Sequence, residues 1–156
     1  MNRSNYITII KTLKSVFDTP SPLSIQAKMS LSASILGSNF PNWNFCGFYM
    51  ATTKHTLEIG PYYGRIIPCT NIKFGKGVCG TAAEKRKTII VNNVLSFNNY
   101  ISCDSKTKSE IVVPVFEGKN LKAVLDVDSI KEDDFGNTDR TYLEKICNLI
   151  SNKRIA

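Results

Sequence analysis

Two strongly apolar segments lie close together in the second half of the chain. Residues 110–116 read EIVVPVF, residues 122–128 read KAVLDVD, and the turn-forming sequence EGKN follows directly after the first segment. Short runs rich in valine and isoleucine that are bounded by turn residues are typical of buried β-strands. Any fold that this chain adopts must therefore build part of its core on a β-sheet.

Apolar residues recur at helical spacing in three other segments. The first covers residues 4–17 and stops before Pro20, and the second follows Ser21-Pro22 and closes at Gly37. Ser21-Pro22 has the pattern of an N-cap followed by proline in the first helical turn. The third helix is predicted to start with Thr138 as its N-cap. Helices are therefore expected at both ends of the chain.

The middle of the chain contributes shorter elements. Predicted strands cover residues 44–52, 56–59, 70–74 and 88–91, and a short helix covers residues 81–85. The order of elements predicts an α+β fold in which helices from both termini flank one central, mostly antiparallel sheet. A length of 156 residues without internal repeats predicts one domain over residues 1–156, with N-terminal helices in 1–38 and a core carrying the active site in 40–156.

Composition excludes several classes of protein. No apolar stretch approaches the roughly 18 residues that a membrane helix needs, and the first twenty residues lack the pattern of a secretory signal, so we expect a cytoplasmic protein with no membrane partner. The formal net charge is +7, but the lysines are scattered, and Lys85-Arg86-Lys87 is the densest cluster. That distribution favours a solvated basic surface over a nucleic-acid site.

The chain has five cysteines and one histidine, His55. An odd count in a chain expected to be cytoplasmic argues against a fixed disulfide framework. No two cysteines have C-x-x-C spacing, so the sequence predicts no metal site. The thiols are therefore either buried as small apolar side chains or used in redox chemistry.

Two loops carry residues that favour chemistry. The glycines of residues 75–80 could let backbone N–H groups approach an anion at the start of the short helix, or could simply form a tight turn. Cys103 lies in a polar loop near Lys106 and Lys108, which would lower the pKa of an exposed thiol and suit a nucleophile. An incidental exposed thiol is the alternative reading.

Carboxylates interrupt the two apolar strands. Asp126 and Asp128 must point to the same face of their strand, because side chains alternate, and Glu110 opens the other strand. Buried carboxylates are costly unless they are hydrogen-bonded, bound to a metal or partly protonated, and a protonated acid can donate a hydrogen bond or a proton in a reaction. A solvated face, or Asp128 serving as a cap of the following turn, is the alternative.

These segments together resemble the free methionine-(R)-sulfoxide reductases, which are built on the GAF fold. The resemblance runs from about Phe40 to the C-terminal helix, and the cysteines at positions 69, 79 and 103 are its most specific part. The motifs that carry it are Asn42-Trp43, Gly47-Phe48-Tyr49, Gly60-Pro61-Tyr62-Tyr63-Gly64, Gly77-Val78-Cys79-Gly80-Thr81-Ala82, Cys103-Asp104, Ser109-Glu110-Ile111-Val112-Val113-Pro114 and Val124-Leu125-Asp126-Val127-Asp128-Ser129.

The resemblance implies a redox role for three cysteines. Cys103 would attack the sulfoxide sulfur and become a sulfenic acid, and Cys69 would resolve it as a disulfide that thioredoxin reduces. Cys79 would have a supporting or alternative resolving role. Cys46 and Cys147 lie on a predicted strand and helix, so they are expected in the core.

The resemblance also implies a set of substrate contacts. Trp43 would pack against the methyl group of free methionine-(R)-sulfoxide, Glu110 and Asp128 would hydrogen-bond its oxygen, and Asp126 would help to bind its amino group. Tyr62-Tyr63 belongs to a motif that lines the pocket, without an indication of which ring points inward. No metal or organic cofactor is implied, and the oligomeric state, a homodimer included, stays open.

Two other functions are weighed against the reductase. A GAF-fold sensor would bind a small molecule without turnover, but a sensor needs neither a nucleophilic nor a resolving thiol. A basic nucleic-acid-binding module would bind with strong salt dependence, and little in the sequence calls for it. The prediction is a thioredoxin-dependent reductase of free methionine-(R)-sulfoxide.

Overall fold

The computed structural model describes residues 2–152. Its helices are α1 (Asn2–Phe17), α2 (Ile25–Asn39), α3 (Gly77–Lys85) and α4 (Asn137–Ser151), and its strands are β1 (Trp43–Ala51), β2 (Thr56–Gly64), β3 (Asn71–Lys73), β4 (Ile89–Val91), β5 (Ser109–Glu117) and β6 (Asn120–Ser129). Within this range, no helix combines the length and apolar content needed to cross a membrane.

The strands form one sheet in the order β3-β2-β1-β6-β5-β4, and every neighbouring pair is antiparallel. The predicted α+β fold with a mostly antiparallel sheet is therefore confirmed. The two apolar segments of the sequence become β5 and β6 near the centre of the sheet. Gly118 turns the chain between them with φ +61°, a left-handed conformation that glycine adopts without strain.

The sheet is covered on both faces, and alternation along each strand divides the side chains between two cores. Leu125 and Val127 of β6 pack with α1, α2 and α4 on what we call the helical face. Val124 of β6 and Val112 of β5 pack with α3 and its neighbouring loops on the opposite side, the α3 face. Both central strands are buried on each side, which explains their nearly continuous apolar sequence.

Several helix boundaries differ from those predicted, and α3 begins at Gly77 rather than at residue 81. Helix α2 begins at Ile25, and its N-cap is Ser24, whose Oγ accepts a hydrogen bond from the Ala27 amide at 3.2 Å. It continues past Gly37, where a Cβ would lie 2.3 Å from the Tyr63 ring, so this glycine permits close packing rather than ending the helix.

At the start of α4, the predicted cap at Thr138 is wrong. The Asp139 carboxylate accepts a hydrogen bond from the Gly136 amide at 2.8 Å instead, and it also accepts one from the buried Tyr6 hydroxyl at 2.8 Å. The cap therefore ties the last helix to α1, a contact between distant parts of the chain that local helix-start signals do not reveal.

Candidate active site

Three carboxyl groups converge on the α3 face. Glu110 of β5 is paired directly with Asp128 of β6, and Asp126 lies two residues earlier on the same side of β6. Their side chains are only 5%, 9% and 6% exposed, respectively. The alternative of a solvated face is thereby excluded. An adjacent-strand pairing, rather than a sequence motif, brings Glu110 to the two aspartates.

Burial changes the ionisation of this trio. It raises the pKa of Asp126 from 3.8 to about 6, and it raises the pKa of Glu110 and Asp128 well above their usual values. The charge of Asp126 raises the pKa of both neighbours further. The site therefore favours an ionised Asp126 beside protonated Glu110 and Asp128.

Two oxygens of the trio lack a partner. Among the described residues, none forms a hydrogen bond with Asp126 Oδ1 or Asp128 Oδ1, although both atoms are buried. Buried polar atoms are nearly always hydrogen-bonded in folded proteins, because an unmade bond costs about 1–3 kcal/mol. Such atoms indicate that the pocket is built to receive a polar ligand.

A disulfide closes one side of the pocket. Cys103, which lines it, is bonded to Cys69, and the two Cα atoms are 5.8 Å apart. The pairing implied by the resemblance is thus present. The lowered pKa expected for the Cys103 thiol stays a prediction, because its sulfur is bonded to Cys69 in this structure.

The loop that carries Cys103 is anchored next to it. Asn44 of β1 donates hydrogen bonds to Asp104 Oδ2 at 2.8 Å and to Thr107 Oγ1 at 2.9 Å, and the Lys106 amide donates to Asp104 Oδ1 at 3.0 Å. The hydrogen bond from the Lys106 amide contributes most to the lowered pKa of Asp104, and the hydrogen bond from Asn44 contributes next. The loop is therefore fixed to the sheet immediately after Cys103.

Cys79 reaches the trio from the first turns of α3. Its Sγ donates to Glu110 Oε1 at 4.0 Å, and its side chain is 4% exposed. Burial, followed by the charges of Asp126 and Glu110, raises the pKa of this thiol well above its usual value. Cys79 is therefore held as a neutral thiol, while Cys46 and Cys147 are buried on the helical face as predicted.

The glycine-rich loop before α3 uses its amides internally. The Gly75 amide donates to the Gly80 carbonyl at 2.8 Å, the Gly77 amide donates to the Asn99 carbonyl at 3.1 Å, and the Lys76 amide donates to the Lys73 carbonyl at 3.1 Å. These bonds favour the tight-turn reading over an anion-binding loop. The turn brings α3 against β3, so that Cys79 faces the carboxyls.

Trp43 lies outside this pocket, contrary to its predicted role. It stacks on Phe40 with the ring centroids 4.0 Å apart and belongs to the core on the helical face. The pocket wall is formed instead by Phe45. The two side chains face opposite sides because the β1–β6 register shifts between Trp43 and Phe45, which breaks the usual alternation.

The tyrosine pair is divided between the two faces of the sheet. Tyr62 stacks on Phe45 with a centroid distance of 5.6 Å, whereas Tyr63 lies against Gly37 of α2. Tyr62 therefore supports the pocket from behind Phe45. Neither ring lines the pocket itself.

Sequence reasoning missed Phe45, Tyr49 and Tyr100, which form the aromatic walls of the pocket. Alternation along β1 places Phe45 and Tyr49 on one face and is the signal that could have found them. Tyr100 could not be found in this way, because it lies in the loop before β5. In the disulfide-bonded state the walls leave a free volume of about 20 Å³, room for roughly one water molecule.

Comparison with known proteins assigns this architecture to a family. A model of the GAF domain matches residues 24–152. The free methionine-R-sulfoxide reductase of Saccharomyces cerevisiae is 45% identical over 112 residues, which are 69% of this chain and 61% of that protein. The free methionine-R-sulfoxide reductase of Escherichia coli is 32% identical over 123 residues, which are 79% of this chain and 73% of that protein.

A solved structure gives the same result. The free methionine-R-sulfoxide reductase of Neisseria meningitidis in complex with its substrate superposes with a TM-score of 0.89 at 33% identity, covering 97% of this chain and 89% of that one. The fold, the chain-wide sequence identity and the shared domain model agree. The chain belongs to the free methionine-R-sulfoxide reductase family of GAF-domain proteins.

Proposed function

We propose that the protein reduces free L-methionine-(R)-sulfoxide to L-methionine in the pocket on the α3 face. The observation that carries the proposal is that one cavity is lined both by Cys103, already paired with Cys69, and by three buried carboxyl groups. Sulfoxide reduction needs a nucleophilic thiol, a proton donor and a second thiol, and the pocket combines all three.

The thiols would act in sequence. The Cys103 thiolate attacks the sulfoxide sulfur, the oxygen is transferred to the cysteine, and methionine leaves, so that the substrate is reduced and Cys103 becomes a sulfenic acid. The Cys69 thiol then displaces that oxygen as water and forms the disulfide seen in the structure. A dithiol reductant, which we propose to be thioredoxin, returns both cysteines to thiols by disulfide exchange.

The carboxyl groups would divide the acid–base work. Glu110 and Asp128, whose pKa values are strongly raised, would donate hydrogen bonds and a proton to the sulfoxide oxygen. Asp126, whose pKa is about 6, would be ionised at neutral pH and could pair with the amino group of a free amino acid. A peptide-bound sulfoxide has no such amino group, so the free form would be preferred.

Phe45 would take the place first assigned to Trp43. Its ring forms a wall of the pocket and is held by Tyr62, so it can pack against the methyl group of the substrate. Cys79 would have a supporting role, because its contact with Glu110 helps to orient that proton donor. A cycling disulfide beside three free cysteines also suits a reducing compartment, and we propose the cytoplasm as the place of action.

The test is turnover of the R sulfoxide, the S sulfoxide and a peptide-bound R sulfoxide, with thioredoxin and, separately, with dithiothreitol as reductant. Only the free R form should be consumed. Cys103→Ser should abolish turnover, whereas Cys69→Ser should release one equivalent of methionine per protein and then recycle slowly with thioredoxin. Cys147→Ala, which alters a free cysteine on the helical face, is the matched control.

Normal activity in Cys103→Ser would refute the assignment of the nucleophile. A folded wild-type protein that binds methionine sulfoxide without consuming it would favour a GAF-type sensor instead.

A further inference from the structure

The pocket also brings together a thiol and two carboxylates in the arrangement of metal ligands. One ligand atom each from Cys79, Glu110 and Asp126 lies within 4.8 Å of the other two. Ligand atoms of a tetrahedral zinc site with sulfur and oxygen donors are about 3.6 Å apart, given bond lengths of about 2.3 and 2.1 Å. The Cys79 Sγ to Glu110 Oε1 distance is 4.0 Å, so this pair lies close to the separation that a shared zinc ion needs.

One carboxylate oxygen of Asp126, which lines the same pocket, has no hydrogen-bond partner in the described part of the chain. Asp126 is 6% exposed, and no residue within 2–152 forms a hydrogen bond with its Oδ1 atom. Oδ1 of Asp128, a residue that also lines the pocket, is likewise buried and unpartnered. A buried carboxylate oxygen without a donor is an acceptor that a cation satisfies directly.

The free space suits one ion. The cavity of about 20 Å³ holds roughly one water molecule, so a single ion fits where an amino acid does not. The mixed sulfur and oxygen donors favour zinc or cadmium over calcium or magnesium, which prefer oxygen alone. The ligands come from α3, β5 and β6, elements that the core holds in place.

We propose that Cys79, Glu110 and Asp126 form a binding site for a soft divalent cation such as Zn²⁺ or Cd²⁺. The ion would displace the protons of the Cys79 thiol and the Glu110 carboxyl, and it would occupy the position proposed above for the sulfoxide oxygen. The site is therefore inhibitory. Its existence can be tested without any turnover, so the test is separate from that of the proposed function.

The disulfide-bonded protein provides a clean experiment. With Cys69 and Cys103 bonded to each other and Cys46 and Cys147 buried on the helical face, Cys79 is the free cysteine that lines the pocket. Titration with Cd²⁺ should produce the ultraviolet thiolate-to-cadmium charge-transfer band, saturating at one equivalent. Cys79→Ser should lose the band, and Cys147→Ser should retain it. No band in the wild type, or an equal band in Cys79→Ser, overturns the proposal.

A second measurement covers the carboxylate ligand. Calorimetric titration with Zn²⁺ in two buffers of different ionisation enthalpy should show proton release on binding, since the thiol must be deprotonated. Asp126→Asn should bind Zn²⁺ at least about tenfold more weakly, with folding verified by near-ultraviolet circular dichroism. Unchanged affinity in folded Asp126→Asn, or the absence of proton release, would contradict the site.

Discussion

Replacing Asp126 by asparagine should stabilise the protein at neutral and alkaline pH. Burial raises the pKa of this carboxyl from 3.8 to about 6 in the folded state. Below the lower value both the folded and the unfolded chain hold the proton, and the two are affected equally. As the pH rises, the unfolded chain loses the proton first, so the free energy of unfolding falls until the pH has passed about 6.

The magnitude follows from the size of the rise in pKa. About two pH units at roughly 1.4 kcal/mol per unit amount to on the order of 3 kcal/mol of stability lost at alkaline pH. Asparagine has nearly the same shape as the protonated acid but carries no charge. Asp126→Asn should therefore match the wild type near pH 4 and exceed it by about 3 kcal/mol near pH 8. The substitution also removes the negative charge that raises the pKa of Glu110 and Asp128, and this should stabilise the folded protein further at alkaline pH.

Urea unfolding from about pH 4 to pH 8, followed by the fluorescence of the single, buried Trp43, measures the difference directly. The protein is kept in its disulfide-bonded form throughout. Asp104→Asn is a control of opposite sign, because hydrogen bonds lower the pKa of Asp104 and its stabilisation is present above the unfolded pKa. Parallel pH profiles for the wild type and Asp126→Asn would refute the argument from burial.

Three further predictions concern the pocket and its supports. In steady-state kinetics, Phe45→Leu should raise the KM for the sulfoxide about tenfold, because it removes the aromatic wall of the pocket. Trp43→Phe should leave the KM unchanged. The reverse pattern would show that Trp43, and not Phe45, contacts the substrate. Gly80→Ala should cost about 1–3 kcal/mol in urea unfolding, because its methyl group would lie 2.3 Å from a backbone oxygen of β3. Gly60→Ala should cost less, since its methyl group first meets the flexible Met50 side chain, and equal losses would contradict this reasoning. Calorimetry with L-methionine should detect binding to the reduced protein only, because the oxidised pocket holds roughly one water molecule; equal binding to both forms would show that the disulfide does not close the pocket.

Local patterns predicted most of the elements of the fold. Short apolar runs bounded by turn residues identified β5 and β6, and the alternation of side chains along a strand put Asp126 and Asp128 on one face, since both signals act within a few residues. Helical spacing located α1, α2 and α4 for the same reason. The boundaries were less accurate where a distant contact intervenes, as at Asp139, whose carboxylate binds the Tyr6 hydroxyl as well as the start of α4.

The interior of the site depended on contacts between distant residues. A register shift in β1 sends Trp43 to the helical face and Phe45 to the pocket, and no local pattern announces the shift. Tyr62 and Tyr63 lie on opposite faces of β2 because neighbouring side chains alternate along a strand. Which of them lies on the side of the pocket is decided only by the pairing of β2 with β1. The sequence identified the residue types that the chemistry needs, but not which aromatic ring lies beside them.

The amino-acid order alone therefore determined the sheet, its covering helices and the acidic and thiol groups available for chemistry, because these depend on short-range periodicity and residue type. Chain packing decided that Cys79 contacts Glu110, 31 residues away in the sequence. It also decided that burial raises the pKa of both groups, so that they stay protonated. Desolvation is a property of the assembled core, since a carboxyl on an extended strand is surrounded by water. The shifted pKa values, and the chemistry that they support, arise only when α3 closes over the sheet.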